Sequence, residues 1–410
     1  MIARIVFNWW PCRVPVWGRS LSGTNAERVA TRPEMRAERG GGVSREELAL
    51  FGVAPCETLG FLVYFQSAPV GTLWWRSQAL FTHLALLGAR YHLRMGSSVV
   101  GRLAPSPTGG QHLGNACTYL VAWLSARAAG GAVKLRVEDI DSARLRPGAV
   151  EDALTGLAWL GLHHDGEPLV QSERRAQHEA ALEALKRADL VYPCTCTRGD
   201  ILAAASAPHA GEEVTYPGTC AHRRASAEAE VRASGKPFAW RFRVSHSPAF
   251  ADRVAGEVRI DLSRAGGDFV VWKNAGGPAY QLAVVVDDAA QGVTEVVRGD
   301  DLIPSTPRQL LLYEALGLTP TTLAHVPLVL GEDGKRLAKR NNDTHLSALR
   351  AAGVKPEAVV GLLAWSCGWL PDVREVSAAE LVPRFDLGAL PRAPFVLTRE
   401  MLRAVGFGAP

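Results

Sequence analysis

Lysine is scarce in this chain. Its 410 residues carry 45 Lys and Arg together, of which only seven are lysine. Residues 1–94 contain no Lys and no Asp at all, against eleven Arg and six Glu. The remaining 34 basic and 35 acidic residues leave the body at a net charge of −1, although the whole chain is formally +4. No global basic field therefore exists to draw nucleic acid onto the body, and such a contact has to come from local patches. A disulfide framework is also missing. Cys12 and Cys56 lie in the unusual first quarter, and Cys117 and Cys367 fall in apolar, helix-like patterns that suit buried thiols. The start lacks the order of basic, apolar and small residues that marks an export signal. Residues 58–75 are uncharged and about long enough for a membrane span, but Gln66, Ser67, Pro69 and Gly71 interrupt them. Internal repeats and long low-complexity runs are absent. These absences point to a cytoplasmic protein without a membrane partner.

What is present fits a globular protein with a sizeable core. Hydrophobic residues make up 47% and charged residues 21%, over a length that suits two or three domains. The first 94 residues stand apart, with five of the eleven Trp and no sustained helix or strand period. Met95 precedes the first well-patterned segment. The working protein is expected to start there, with 1–94 a start-site artefact or a disordered extension.

From residue 97 the order of elements is legible. A strand is expected over 99–104, a helix over 112–129 ended by Gly130-Gly131, and a strand over 132–140. Helices over 149–162 and 172–190 follow. Strand–helix–strand–helix is the signature of an α/β fold with a parallel sheet. Residues 192–244 read differently, with clustered cysteines and an alternating Phe238-Ala-Trp-Arg-Phe-Arg-Val244. The α/β pattern then returns with an apolar run over 280–286, expected as a buried strand, and another strand over 293–298. A helix over 305–316 and a last strand over 326–330 lead into a basic loop. The final 70 residues read as mostly helical. The expected divisions are 95–190 and 266–345 for the two halves of the α/β domain, 191–265 for an inserted subdomain and 346–410 for a helical end.

The stretch Gly101-Arg-Leu-Ala-Pro-Ser-Pro-Thr-Gly-Gly-Gln-His-Leu-Gly-Asn-Ala116 runs from the first strand into the first helix. A helix N-terminus offers free N–H groups and a favourable dipole to an anion such as phosphate. Gly109 and Gly110 allow close approach of the backbone. Pro105 and Pro107 pre-set the turn and remove two donors. His112 and Asn115 lie on the first helical turn, where both can donate to phosphate oxygens. A tight turn with a capping Asn and a surface His accounts for the segment equally well when it is taken alone.

With a second motif in view the segment gains a family. Pro-Ser-Pro-Thr-Gly-x-x-His-Leu-Gly-Asn resembles the first signature of class I aminoacyl-tRNA synthetases in its glutamate-specific form. About 220 residues later, Arg336-Leu-Ala-Lys-Arg340 resembles the lysine loop of that family. The resemblance implies a Rossmann-like nucleotide-binding sheet, ATP with Mg²⁺, and formation of an aminoacyl adenylate. It assigns His112, Asn115 and Lys339 to catalysis and to the ATP phosphates. Arg336 keeps the first charge of the loop, whereas Ala338 replaces the usual Ser and removes one hydroxyl contact.

The same resemblance implies L-glutamate as the amino acid. It places Arg102, Leu103, Ala104, Pro105 and Ser106 along the pocket, with Arg102 and Arg298 on the side-chain carboxylate. Tyr280 supplies a hydroxyl and Glu138 holds the ammonium. Two cations, one anion and hydroxyls suit an acidic substrate, and glutamine would leave an arginine unpaired.

Pro193-Cys-Thr-Cys-Thr197 and Tyr216-Pro-Gly-Thr-Cys220 look like half of a zinc knuckle. Cys194, Cys196 and Cys220 need a fourth ligand for a closed tetrahedral site. The resemblance points to Tyr216 for one structural Zn²⁺, while His222 is the conventional alternative. Full-length glutamyl-tRNA synthetases carry anticodon-reading domains after the lysine loop, and 70 residues are too few for them. The chain thus resembles the shortened paralogues, the glutamyl-Q tRNA(Asp) synthetases. These activate glutamate without tRNA and attach it to queuosine in the anticodon of tRNA(Asp). A monomer is the expectation. Two other readings are a tail-less enzyme that charges a tRNA 3′ end and a catalytically silent RNA-binding paralogue.

Overall fold

Two glycines decide how the first strand and helix fold back on each other. A Cβ on Gly131 would sit 2.0 Å from the Val99 carbonyl oxygen, and Gly130 has φ 66°. Only glycine lets the chain reverse there. The computed structural model describes residues 99–141, 145–204, 214–337 and 344–408. The expected extension 1–94 lies outside the described residues, as do Ala338 and Lys339.

β1 (Val100–Leu103) feeds α1 (Leu113–Ala128), then β2 (Ala132–Val137), α2 (Ala149–Trp159), β3 (Leu169–Val170) and α3 (Arg175–Arg187). β1, β2 and β3 pair in parallel, Val100 against Ala132 and Arg136 against Leu169. The inserted part starts with β4 (Val191–Cys194), α4 (Arg198–Ala204), α5 (Glu228–Ala233) and β5 (Ala239–Phe242). It continues through the hairpin β6 (Phe250–Asp252) and β7 (Gly256–Val258) to β8 (Phe269–Lys273) and β9 (Gly277–Pro278). The antiparallel sheet has the order β4-β5-β8-β9 and so extends past residue 265.

The run over 280–286 is not a strand. It forms the first two turns of α6 (Tyr280–Ala290), which buries Leu282, Ala283, Val284 and Val285. A continuous apolar run suits a buried strand or a buried helix equally. Here the helical frame also buries Asp287 and Asp288 against charged partners. β10 (Glu295–Gly299), α7 (Thr306–Ala315) and β11 (Thr322–Val326) follow, with β10 and β11 parallel and Asp252 of β6 beside Leu323. Thr294 ties β10 to β1: its N–H donates to the Val100 carbonyl and its hydroxyl accepts from the Val100 N–H, both at 2.9 Å. Pro327 separates β11 from β12 (Val329–Leu330), so the expected strand over 326–330 holds only the last residue of β11 and the two-residue β12.

The end of the chain holds α8 (Leu346–Ala351), α9 (Pro356–Ser366), α10 (Ala378–Leu381), β13 (Phe395–Val396) and α11 (Arg399–Ala404). β13, which sequence patterning missed, pairs in parallel with β12. Leu349, Val359, Leu362, Leu381 and Leu397 share one core with Leu103, Leu120 and Leu124. A second core joins Leu185, Val191, Trp240, Val271, Leu282 and Leu312. No helix among the described residues is long and apolar enough to cross a membrane.

Candidate active site

The loop after β1 ends in a reciprocal cap. His112 is the N-cap of α1; its Nδ1 accepts from the Asn115 N–H, and Asn115 Oδ1 accepts from the His112 N–H, both at 3.2 Å. The histidine is buried rather than on the surface. Gly114 explains how: a Cβ there would come within 3.0 Å of the His112 ring. Gly110 has a comparable role, because a Cβ would meet the His345 ring at 2.7 Å. The cap uses Asn115 Oδ1, which leaves the amide Nδ2 outside the cap. At the other end of the loop, the Pro105 carbonyl accepts from the Glu138 N–H at 2.9 Å. That bond fixes the end of β2 beside the loop.

Arg102, Glu138, Tyr280 and Arg298 converge. Arg102 is buried and donates from Nη1 to the Val297 carbonyl at 2.7 Å. Its Nε has no hydrogen-bond partner, and the nearest carboxylate, Asp288, is 3.8 Å away. Burial lowers its pKa, Asp288 opposes that, and the neighbouring cations Arg136 and Arg298 lower it further. Arg298 is 5% exposed and is held by neutral groups alone. Nε donates to His325 Nε2 at 3.0 Å, Nη1 to Gln309 Oε1 at 2.7 Å and Nη2 to Thr306 Oγ1 at 2.8 Å. No carboxylate among the described residues pairs with it. Burial raises the Tyr280 phenol, with Arg298 opposing and Glu138 adding to the rise. The Glu138 carboxyl is also raised by burial, against the pull of Arg136 and Arg102.

Behind these groups stand residues that sequence patterning did not single out. Arg136 is fully buried and bridges Glu138 Oε1 at 3.0 Å and Asp288 Oδ1 at 2.5 Å. His325 Nδ1 lies 2.6 Å from Asp252 Oδ2, which makes Nδ1 the donor and leaves Nε2 to accept from Arg298. The only sequence signal for these residues was a charged or polar side chain inside a strand or helix that is otherwise buried. That signal does not name the partner.

Cys194, Cys196 and Cys220 bring their sulfurs within 4.8 Å of one another. Tyr216 Oη lies 3.3 Å from Cys194 Sγ and 3.8 Å from Cys196 Sγ, and Cys196 to Cys220 is 3.7 Å. A tetrahedral site with metal–sulfur bonds of about 2.3 Å has sulfur–sulfur edges of roughly 3.8 Å. The donor set and its spacing therefore fit one metal ion. His222 is exposed and outside the cluster. Cys220 ionises more readily than Cys196, whose thiol burial pushes up to about 11. Burial raises the Cys220 thiol too, but the Thr195 and Cys196 hydrogen bonds and Arg223 bring it down to about 7.

The profile of the family "tRNA synthetases class I (E and Q), catalytic domain" matches residues 98–402. A glutamyl-Q tRNA(Asp) synthetase of Rhodopirellula baltica is 50% identical over 324 residues, 74% of this chain and 98% of that protein. The chain belongs to the glutamyl-Q tRNA(Asp) synthetase family. A second member, from Symbiobacterium thermophilum, is 47% identical over 75% of this chain and 98% of its own length. Among solved structures, a glutamate tRNA ligase from Elizabethkingia meningosepticum in complex with its amino acid is similar, with a TM-score of 0.66. It is 28% identical and covers 75% of this chain and 69% of its own. The glutamate-tRNA synthetase of Elizabethkingia anophelis gives 0.65.

Against the family's two signatures, the structure brings the first together with the converging charges. Of the second, Arg336 is described, exposed and paired with Asp301. The stretch 338–343, with Lys339, lies outside the described residues.

Proposed function

We propose that this protein activates L-glutamate with ATP and transfers the glutamyl group to queuosine in the anticodon of tRNA(Asp). The observation that carries the glutamate assignment is Arg298, a buried guanidinium satisfied only by neutral partners and short of an anion. Arg102, with an unpartnered Nε, stands beside it. Together they hold the side-chain carboxylate of glutamate. Glu138, fixed by Arg136 and the Pro105 carbonyl, receives the ammonium. Tyr280 offers its hydroxyl, and the segment from Leu103 to Ser106 lines the pocket.

The α-carboxylate oxygen attacks the α-phosphorus of ATP in line, and pyrophosphate leaves. Catalysis is positioning plus charge stabilisation. His112 and Asn115, locked by their mutual cap, present ring and amide donors to the phosphates at the α1 N-terminus. Lys339 supplies the cation on the leaving pyrophosphate, and Mg²⁺ arrives with ATP. In the second step a hydroxyl of the queuosine diol attacks the adenylate carbonyl, loses its proton and expels AMP. Cys194, Cys196, Cys220 and Tyr216 hold one structural Zn²⁺, which ties β4 to the loop before α5.

The working chain starts near Met95 and is cytoplasmic. Supporting this start, the family match begins at residue 98, and 74% of the chain spans 98% of the Rhodopirellula baltica relative. N-terminal sequencing of the native protein tests it, and a native start at Met1 overturns it. The enzymatic reading is tested by glutamate-dependent ATP–pyrophosphate exchange without tRNA. Absence of exchange sinks it and leaves a binding paralogue.

A further inference from the structure

Gln111 braces the loop after β1 from inside. It is 4% exposed and sits directly before His112, the N-cap of α1. Its Nε2 donates back to the Ser106 carbonyl at 3.3 Å, across Pro107, Thr108, Gly109 and Gly110. Its Oε1 accepts from the hydroxyl of Tyr119, a buried residue of α1, at 2.8 Å. Its carbonyl accepts from the Leu346 N–H of α8 at 2.8 Å, beside an antiparallel bridge between His112 and His345. A single side chain and its backbone thus join the loop, α1 and the start of α8.

Gly109 and Gly110 leave the loop with little conformational preference of its own, so its shape depends on such bonds. The adjacent carbonyls of Pro105 and Ser106 are each held, the first by the Glu138 N–H and the second by Gln111. Ser106 belongs to the segment assigned to glutamate, and His112 to the residues assigned to phosphate. The Gln111 side chain therefore sets the spacing between the two halves of the site. In-line attack needs the reacting atoms at about 3–3.5 Å, and a small displacement costs rate more than binding. Tyr119 fixes which way the amide faces. Burial raises its phenol, with Glu138 adding and Arg102 opposing, so the hydroxyl keeps its proton. Gln111 Oε1 then accepts, and Nε2 is left for Ser106.

We propose that Gln111 and Tyr119 are positioning residues for adenylate formation. Their hydrogen-bonded pair holds the glutamate side of the loop at a fixed spacing from His112. It also registers the segment that follows the lysine loop onto the same residue. The inference rests on the glutamate-activation reading above and adds to its machinery.

The test uses the full chain with Tyr119→Phe, Gln111→Met and the double variant. Glutamate-dependent ATP–pyrophosphate exchange gives kcat and both KM values, and denaturant titration gives the unfolding midpoint. Tyr119→Phe leaves a buried carbonyl oxygen without its donor, so both kcat and the midpoint fall. The double variant replaces both polar partners by apolar groups of similar shape, and its midpoint recovers. Its kcat stays about tenfold below wild type, equivalent to about 1.4 kcal/mol, with both KM values within about twofold. Recovery of kcat together with the midpoint shows a merely structural bond and overturns the proposal. So does a loss carried by KM alone. Amide hydrogen exchange of the peptide holding His345 and Leu346 reads the register without the reaction. It quickens in each variant while α9 keeps wild-type protection; unchanged protection at Leu346 overturns the proposal. If the wild type shows no pyrophosphate exchange, glutamate activation fails by itself, and amide exchange then decides the positioning.

Discussion

At the residue scale, the most consequential contact is between His325 and Arg298. A neutral His325 accepts from Arg298, whereas a protonated one would place a second charge against it. Burial lowers the His325 pKa from its ordinary 6.5, Asp252 opposes this, and Arg298 lowers it further. Burial alone would raise Asp252, yet hydrogen bonds from His325 and the Ala255 and Val254 N–H groups bring it down to about 2. Both groups have folded values below their unfolded ones. The stability His325 contributes is therefore full above pH 6.5 and is lost as pH falls through its lowered value. That of Asp252 follows between 3.8 and about 2. The KM for glutamate should accordingly hold through pH 6.5 and rise only as pH falls to the lowered value of the folded-state His325. His325→Gln keeps an acceptor for Arg298 but cannot titrate, and should flatten this limb. A His325→Gln variant that keeps the wild-type acid limb of KM would contradict the assignment. Tyr216 offers a second check at this scale. Tyr216→Phe should weaken metal retention about 10- to 100-fold against a competing chelator and leave adenylate formation measurable. His222→Ala should change neither.

At the scale of elements, α6 is where sequence and structure part. The run over 280–286 has the β-branched composition of a strand, and only its continuation into Asp287 and Asp288 favours a helix. Those carboxylates meet Arg136, Arg174 and His178, and none of these partners is near them in sequence. Long-range charge pairing is invisible to local periodicity, so the helix and its network were both missed. By contrast, β1, α1 and β2 were legible because their glycines, caps and alternation act within a few residues. The residues of the proposed site divide in the same way. Arg102, Glu138 and Arg298 stand next to motifs, whereas Arg136, Asp252 and His325 act only through contacts across the sheet. Asp288→Asn tests the network. Leaving Arg136 with one carboxylate in a buried setting should cost about 3–5 kcal/mol of stability in denaturant titration. The KM for glutamate should rise more than that for ATP. Equal changes in both would show a general loss of fold rather than of Arg102 and Glu138 positioning.

At the scale of the whole molecule, the segment after the lysine loop is not an appendage. Its helices share a core with α1 and β1, and β13 pairs with β12. Truncation after residue 345 should therefore abolish soluble, active protein, whereas a chain beginning at Met95 should retain glutamate activation. The near-neutral body leaves RNA binding to local features. The decisive experiment moves labelled glutamate onto RNA. Purified protein, ATP and labelled glutamate are incubated with queuosine-containing tRNA(Asp), with the same tRNA after oxidation of its queuosine diol, and with tRNA(Glu). Label on the untreated tRNA(Asp) alone is the predicted result. Label at the 3′ end of tRNA(Glu), or transfer that survives oxidation of the diol, would contradict it.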